Sequence, residues 1–203
     1  MIMFDLKMDN RDRKTTGIIL AGGKNTRINC KKAFVIVNEN TIIDRILAIF
    51  KEVFFEVLIV TNTPGDFSYT GFKTVVDIMP DNGPLGGLYT GLVNMKYEHC
   101  FIVACDMPYI CKSLVKYIND IQGYDIVVPK IKGLFEPLFA CYSRRCADVA
   151  RRQIKDGNLK ITDIYSHFTV KEIYEDEIRK FDSNMRSFIN INTLKDLASL
   201  NSM

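Results

Sequence analysis

The 203-residue sequence contains no tryptophan and only two histidines, His99 and His167. The histidines lack the spacing of a metal site or a catalytic triad, so we interpret both histidines as structural. No G-x-S-x-G motif occurs, and nothing indicates a serine or cysteine nucleophile. Six cysteines are present, but none forms a C-x-x-C pair, which excludes a zinc ribbon and a thioredoxin-type motif. The simplest interpretation is a set of reduced, mostly buried thiols in a cytoplasmic protein.

Long apolar runs and a strong charge of one sign are also lacking. No run approaches the length of a membrane span, and residues 1–14 carry charges throughout, unlike a secretory signal. The formal net charge is +3, from 27 Lys+Arg against 24 Asp+Glu, which is too mild to indicate nucleic-acid binding. We therefore expect no membrane and no nucleic-acid partner. We also expect a flexible tail at 1–14 and a single domain at 15–203.

From Thr16 onward, short apolar runs rich in β-branched residues alternate with amphipathic segments. The runs have the length of buried strands and are bounded by Gly, Pro, Asn or Asp; they occur at 17–21, 57–61, 73–77, 101–105 and 125–129. Helices are predicted at 42–54, where Thr41 and Asp44 form a capping signal, and at 86–96, 112–121, 144–156 and 193–201. This alternation predicts an α/β fold, a three-layer α/β/α arrangement around a mainly parallel sheet.

Ligands of such folds bind outside the carboxyl ends of the strands. The residues that directly follow the predicted strands are therefore expected to converge on one site. They are Gly22 and Gly23 with a basic loop, Asn62, Asp77 and Asp106. Backbone amides, cations, an amide side chain and two carboxylates suit a nucleotide bound with a metal.

The loop 20-LAGGKNTRINCKK-32 matches neither G-x-x-x-x-G-K-[ST] nor G-x-G-x-x-G, which argues against a Walker NTPase and a dinucleotide-binding oxidoreductase. A Gly-Gly turn is by itself as often structural as functional. Its four cations, Lys24, Arg27, Lys31 and Lys32, repel one another unless solvent or an anion neutralises them. Taken alone, the loop is either a phosphate cradle or a solvated turn.

The downstream motifs are similarly ambiguous one by one. Asp106 in 103-VACDMPYI-110 is placed to bind Mg²⁺ through its carboxylate, but an isolated Asp-x-Pro more often stabilises a turn. Asp77 is either a ligand acceptor or a surface carboxylate. In 188-FININ-192, Asn192 suits the N-cap of a final helix, whereas Asn190 is not explained that way.

Together these motifs resemble the molybdenum cofactor guanylyltransferases, within the Rossmann-like nucleotidyltransferases. The resemblance rests on the order LAGG-x-x-x-R, an Asn after a strand, D-…-GPLGGL, ACDMP and NINT, over residues 17–197. It implies the nucleotide-diphospho-sugar transferase type of fold and transfer of GMP from GTP to the terminal phosphate of molybdopterin, with release of pyrophosphate. Transient contacts with cofactor-biosynthesis or molybdoenzyme partners are implied as well.

The resemblance also assigns roles to residues. It implies catalytic roles for Arg27, Lys32 and Asp106, with Asp106 holding Mg²⁺. It implies nucleotide contacts by Leu20, Ala21, Gly22, Gly23, Lys32, Asn62, Asp77 and Asp106, in which Asn62 and Asp77 bind the guanosine part. The acceptor is expected near residues 129–142, with Lys130 and Lys132, and near Asn190 and Asn192.

The sequence departs from this family inside the basic loop. The family usually has Arg-Met-Gly-x-Asp-Lys, whereas here Asn29 stands at the glycine and Lys31 at the aspartate. Asn tolerates a positive φ better than most residues, which preserves the turn, but Lys31 changes the charge beside Lys32 by two units. Two alternatives to the guanylyltransferase stay open: a nucleotidyltransferase with another base or acceptor, such as a cytidylyltransferase or a sugar-phosphate enzyme, and a non-catalytic nucleotide-binding homologue.

Overall fold

The computed structural model describes residues 14–22 and 32–191. Eight of its strands form one mixed sheet: β1 (Thr16–Leu20), β4 (Glu56–Thr61), β5 (Lys73–Val76), β6 (His99–Ala104), β7 (Ile126–Ile131), β8 (Leu134–Phe135), β9 (Phe139–Ser143) and β10 (Val170–Tyr174). A separate small hairpin consists of β2 (Ile36–Val37) and β3 (Asn40–Thr41).

The helices are α1 (Ile42–Val53), α2 (Gly83–Asn94), α3 (Lys112–Asp120), α4 (Cys146–Lys155) and α5 (Glu175–Ile178). Short 3-10 helices lie at Lys32–Phe34, Pro64–Thr70, Ile161–His167 and Arg186–Phe188. The predicted capping of α1 is confirmed, because the Asp44 N–H donates to Oγ1 of Thr41 at 3.2 Å. None of the helices in the described ranges is long and apolar enough to span a bilayer.

The strand order of the sheet is β10-β7-β9-β6-β1-β4-β5, with β8 paired to β7. Parallel pairs join β1 to β4 and β6, β4 to β5, and β7 to β10. Strand β9 runs antiparallel between β6 and β7. The predicted α/β fold with a mainly parallel sheet is thus confirmed.

The apolar side chains of the sheet alternate between two cores. On β1, Ile19 packs into a core with α1 and α3, while Ile18 and Leu20 face a second core with α2 and α4. This is the period-two alternation of a strand buried on both faces, which reads in sequence as a continuous apolar run. Helices therefore cover both faces of the sheet, as the three-layer prediction requires.

Two details differ from the sequence-based expectation. Strand β6 ends at Ala104, so Cys105 lies in the turn that follows rather than in the strand, although it is buried as expected. Strands β2, β3, β8, β9 and β10 and the short helix α5 were not predicted. The expected tail, apart from Lys14, and the expected helix at 193–201 lie outside the described residues.

Candidate nucleotide and metal site

The carboxyl ends of four parallel strands meet at one edge of the sheet. Leu20 pairs with Val60 on one side and Ala104 on the other, and Thr61 pairs with Val76. The next residues in each strand direction are Ala21 and Gly22, Asn62, Asp77, and, one turn residue later, Asp106. The structure thus brings the predicted residues after β1, β4, β5 and β6 to the same edge.

Lys32 and Asp106 form an ion pair at this edge. The Nζ of Lys32 donates to Oδ2 of Asp106 at 3.2 Å, and each side chain is 22% exposed. Because both groups are largely shielded, water weakens their attraction less than it weakens that of a surface pair. The site therefore presents a cation and a carboxylate side by side, a combination that suits phosphate oxygens and a metal respectively.

The backbone around Leu20 is held by the neighbouring strands. The Ala21 N–H donates to the Val60 carbonyl at 2.8 Å, and the Leu20 carbonyl accepts from the Cys105 N–H at 3.0 Å. The Ala21 carbonyl accepts from Oγ1 of Thr61 at 3.1 Å. These backbone groups are engaged in the sheet, so a nucleotide has less access to them than the resemblance implies.

Gly22 differs from Leu20 and Ala21, which precede it. It is exposed, and a Cβ built on it would meet no heavy atom of the described chain within 4 Å. A ligand can therefore approach its backbone closely. Gly23, Arg27, Asn29 and Lys31 lie outside the described residues.

Asp77 is oriented by two donors. Its Oδ1 accepts from Oγ1 of Thr90 at 2.7 Å and from the Met79 N–H at 2.9 Å. Within the described parts of the chain, no donor bonds its Oδ2. One oxygen fixes the carboxylate, and the other remains for a ligand.

The glycines of α2 explain how that helix positions Asp77. A Cβ on Gly91 would lie 2.9 Å from Cδ1 of Ile18, and one on Gly87 would lie 3.2 Å from Cδ2 of Leu20. Without side chains at these positions, α2 packs directly on β1. Thr90 of α2 is thereby held where its hydroxyl reaches Asp77.

Asn190 reaches the same edge from the end of the described chain. The Ile191 N–H donates to the Asp106 carbonyl at 2.9 Å, which anchors this segment beside the carboxylate. The Oδ1 of Asn190 is buried and has no hydrogen-bond partner within the described residues. An unpaired buried acceptor is costly and so marks a position where a ligand donor would be favourable. Asn192 lies outside the described residues.

Residues 17–168 match the family of the MobA-like NTP transferase domain. The chain belongs to this family. The match includes β1 from Gly17 onward, the GPLGG segment of α2 and Asp106, and it extends through the 3-10 helix that precedes β10.

Relatives within the MobA-like family cover nearly the whole chain. A molybdenum cofactor guanylyltransferase from Desulfosudis oleivorans is 40% identical over 187 residues, which is 90% of this chain and 92% of that protein. A probable molybdenum cofactor guanylyltransferase from Clostridium perfringens is 34% identical over 92% of this chain and 96% of its own length. These similarities place the chain with the molybdenum cofactor guanylyltransferases of the family.

Solved structures of similar proteins agree with the fold. The molybdopterin-guanine dinucleotide biosynthesis protein A from Archaeoglobus fulgidus has a TM-score of 0.80 at 25% identity, covering 93% of this chain and 97% of that one. The Rv0371c complex with manganese from Mycobacterium tuberculosis has a TM-score of 0.68 at 15% identity, covering 93% and 98% of the two chains. The second likeness supports the fold alone.

The MobA-like site offers a sparse set of metal ligands. Among the described residues, 14–22 and 32–191, no group of three or more His, Cys, Asp or Glu side chains is arranged to hold a metal ion. Mg²⁺ is usually held by one or two carboxylates together with substrate phosphates. The single carboxylate of Asp106, with Lys32 beside it, therefore fits a divalent ion that binds together with a nucleotide.

Cys105 is a buried thiol, poorly suited to act as a nucleophile in this site. Burial raises the pKa of its thiol to about 12, and the neighbouring Asp106 carboxylate acts in the same direction. The thiol therefore stays protonated at neutral pH. Of the five described cysteines, all but Cys111 are buried, as predicted.

Lys130, which the sequence places near the acceptor, forms an ion pair within the fold. Its Nζ donates to Oε1 and Oε2 of Glu172 at 3.1 and 3.0 Å and lies 4.7 Å from the centroid of the Phe135 ring. Its charge is therefore already compensated within the fold. Lys132, by contrast, is exposed.

Three side chains near Asp106 were not singled out from the sequence. They are Arg45 of α1, Tyr109 in the turn after β6, and Arg186 in the 3-10 helix near the end of the described chain. In the sequence, Arg45 stands at a polar position of an amphipathic helix, where a solvent-exposed arginine is expected, and no motif includes Arg186. The one available signal was Tyr109, which follows CDMP directly.

Proposed function

We propose that this chain transfers GMP from GTP to the terminal phosphate of molybdopterin, forming molybdopterin guanine dinucleotide and releasing pyrophosphate. The observation that carries the proposal is the Lys32–Asp106 pair at the edge where β1 and β6 end. It occurs in a chain that is 40% identical to a molybdenum cofactor guanylyltransferase. We include in the proposal a single domain at 15–203 and a cytoplasmic location.

The phosphates of GTP bind near Gly22 and Lys32 in this proposal. The exposed backbone of Gly22 allows close approach, and the Lys32 ammonium attracts phosphate oxygens. Gly23 and Arg27 are proposed to complete the phosphate site. The like charges of the loop, including Lys31, are then balanced by the triphosphate.

The guanine base binds where β4 and β5 end, at the part of the edge that carries Asn62 and Asp77. Oδ2 of Asp77 is suited to accept from the N1–H and N2–H₂ donors of guanine, while Oδ1 is held by Thr90. Asn62, exposed after β4, is proposed to contact the guanosine part. Cytosine does not present this pair of donors to a carboxylate, so Asp77 favours GTP over CTP.

Transfer is a displacement at the α-phosphorus of GTP. An oxygen of the acceptor phosphate forms a bond to that phosphorus, and the bond to the bridging oxygen breaks, so that the electron pair leaves with pyrophosphate. Mg²⁺, held by Asp106, would supply charge neutralisation on the phosphate oxygens. Lys32 stabilises negative charge at the same edge, and Asn190 orients the acceptor from the segment anchored to the Asp106 carbonyl.

The deciding experiment incubates the full chain with molybdopterin, Mg²⁺ and either GTP or CTP, and separates the products by chromatography. We expect molybdopterin guanine dinucleotide and pyrophosphate with GTP, and at most traces of product with CTP. Comparable or greater product with CTP would favour a cytidylyltransferase. Thermal stabilisation by GTP without any transfer would favour a non-catalytic homologue.

A further inference from the structure

The turn after β6 is surrounded by cations. Besides Lys32 at Asp106, the Nε of Arg45 donates to the Pro108 carbonyl at 2.9 Å. The guanidinium carbon of Arg186 lies 4.2 Å from the centroid of the Tyr109 ring, and that of Arg45 lies 5.6 Å from the same centroid. Two guanidinium groups therefore share one aromatic ring, within about 10 Å of one another by these two distances.

Neither guanidinium has an acidic partner among residues 14–22 and 32–191. The acids nearest in sequence are engaged elsewhere. Asp182 is buried and accepts from the backbone N–H groups of Arg186 and Ser187 at 3.1 and 2.8 Å. Asp44 accepts from the hydroxyls of Thr41 and Tyr69.

Two cations on one ring, with no acidic partner in the described part of the chain, favour a bound anion. A guanidinium that stacks on an aromatic face keeps its in-plane N–H donors available, and their fork matches the oxygens of a phosphate. Arg186 is exposed, so its donors are accessible from solvent. Arg45 is more restrained, because its Nε and Nη1 bond the carbonyls of Pro108 and Val37.

The segment that carries Arg186 also carries Asn190. Ser187 accepts from the Cys111 N–H through its Oγ at 2.9 Å, and Ile191 donates to the Asp106 carbonyl. These two bonds fix the 186–191 segment along the 106–111 turn. Arg186 is therefore held on the same segment as the unpaired Oδ1 of Asn190, on the side of the sheet covered by α1 and α3, whereas Asp77 lies against α2.

We propose that Arg186 and Arg45, which both lie over the Tyr109 ring, form a phosphate subsite that binds the phosphate monoester of the acceptor. This inference rests on the proposed function, in which two polyanions must approach one another at Asp106. Their mutual repulsion has to be offset by cations beyond Lys32. Arg186 and Arg45 are binding residues in this assignment, and Tyr109 is the positioning residue that holds both guanidiniums.

The first test compares Arg186→Gln with wild type in steady-state GMP transfer, varying molybdopterin and GTP separately. Loss of a charge-assisted contact is expected to raise the KM for molybdopterin about tenfold or more, with the KM for GTP unchanged. The matched control is Arg151→Gln, an exposed position on α4 on the opposite face of the sheet, for which both constants should stay at wild-type values. A rise in the KM for GTP instead would assign the two arginines to the nucleotide phosphates and overturn the proposal. Unchanged constants would overturn it too.

The role of Tyr109 is tested with two substitutions. Tyr109→Phe keeps the ring and should leave the KM for molybdopterin near wild type, whereas Tyr109→Leu removes the ring and should raise it. Equal effects of the two substitutions would contradict a positioning role through stacking. Melting temperatures identify any variant that fails to fold. If Tyr109→Leu does not fold, the test rests on Arg186→Gln, because Arg186 is exposed and its substitution leaves the core intact.

Direct binding separates this subsite from the proposed function. Molybdopterin is titrated into wild type and Arg186→Gln without GTP, with pterin fluorescence as the readout. Binding that is weakened in Arg186→Gln, without GMP transfer by wild type, would support the subsite and refute the transferase proposal. Transfer by wild type with equal molybdopterin binding by both proteins would refute the subsite alone, and no molybdopterin binding by wild type would refute it as well.

Discussion

The ammonium nitrogen of Lys32 lies 3.2 Å from Oδ2 of Asp106, although 74 positions separate the two residues in sequence. Lys32 begins a 3-10 helix that packs against α1, and Asp106 follows the buried strand β6. The fold thus holds the pair in place before any ligand arrives. Such preorganised charge contributes to catalysis because no reorganisation is needed when negative charge develops.

Lys32→Ala should lower kcat for GMP transfer by about a hundredfold or more, since a preorganised cation at a reacting phosphate is worth that much. The variant should still fold cooperatively, because each side chain of the pair is 22% exposed and the remaining Asp106 carboxylate keeps contact with water. Rates with GTP and molybdopterin, together with a thermal melt, check both statements. Lys116→Ala, on the exposed face of α3, serves as the control. A merely twofold loss for Lys32→Ala would argue against contact with the phosphates.

Asp106→Asn keeps the shape of the side chain and an acceptor for Lys32, but it removes the charge that would hold Mg²⁺. Transfer should fall below detection, and the stabilisation of the protein by GTP should no longer increase when Mg²⁺ is added. Thermal shifts with GTP, with and without Mg²⁺, measure this. A variant that retained the Mg²⁺-dependent shift would remove Asp106 from the metal site.

Asp77→Asn should reduce the discrimination between GTP and CTP. The Asn amide has one neutral acceptor oxygen and one NH₂ donor in place of the two charged oxygens of the carboxylate. Recognition of the guanine N1–H and N2–H₂ should therefore weaken by about 1.5–3 kcal/mol. The ratio of kcat/KM values for the two nucleotides is the measurement. An unchanged ratio would show that Asp77 only stabilises its turn through Thr90 and Met79.

The positions of the strand ends were predictable from the sequence, and so was the sheet edge at which they meet. The runs of β1, β4 and β6 are buried on both faces, so the glycine or polar residues that follow mark their ends, as at Gly22, Asn62 and Asp106. Asp77 follows β5, an edge strand whose residues are partly or fully exposed. A parallel sheet then places those residues together without any knowledge of side-chain contacts. The fold class and most of the proposed nucleotide edge follow from this local pattern.

The antiparallel strand β9 was not predictable in the same way. Two residues, both arginines, separate its sequence, FACYS, from helix α4, and no Gly, Pro, Asn or Asp lies between them to signal a turn. Its place between β6 and β7 depends on pairing across distant parts of the chain. The placement of Arg45 and Arg186 over the Tyr109 ring has the same origin, because three separate segments contribute to it.

Gly86→Ala should destabilise the fold by about 1–3 kcal/mol, because an added methyl group would be overpacked. A Cβ on Gly86 would lie 2.5 Å from the Met79 carbonyl oxygen, a backbone atom that cannot move aside like a flexible side chain. Denaturant unfolding measures the free energy. Gly65→Ala is the control, since a Cβ there meets no heavy atom of the described chain within 4 Å. Equal stability of the two variants would contradict close packing of α2 on the loop after β5.

Asp125→Asn should destabilise the protein in a pH-dependent manner. Burial alone would raise the pKa of Asp125, but hydrogen bonds from the side chain and backbone of Thr169 and from Ser143, with the Arg145 charge, outweigh it and hold the pKa below its usual value. The carboxylate ties the start of β7 to the end of β9 and the start of β10. Its ionised form is therefore favoured by folding.

A lowered pKa in the folded state means that the carboxylate stabilises the fold above the pKa of the unfolded chain. That contribution is lost as the pH falls through the folded pKa. The free energy of unfolding of Asp125→Asn should thus lie about 1–2 kcal/mol below wild type at pH 7, and the difference should shrink steadily as the pH falls below 4. Urea unfolding at pH 7, 5, 4 and 3 tests this, with Asp156→Asn at an exposed position as the control. A difference that stayed constant over this range would show that geometry, and not charge, accounts for the role of Asp125.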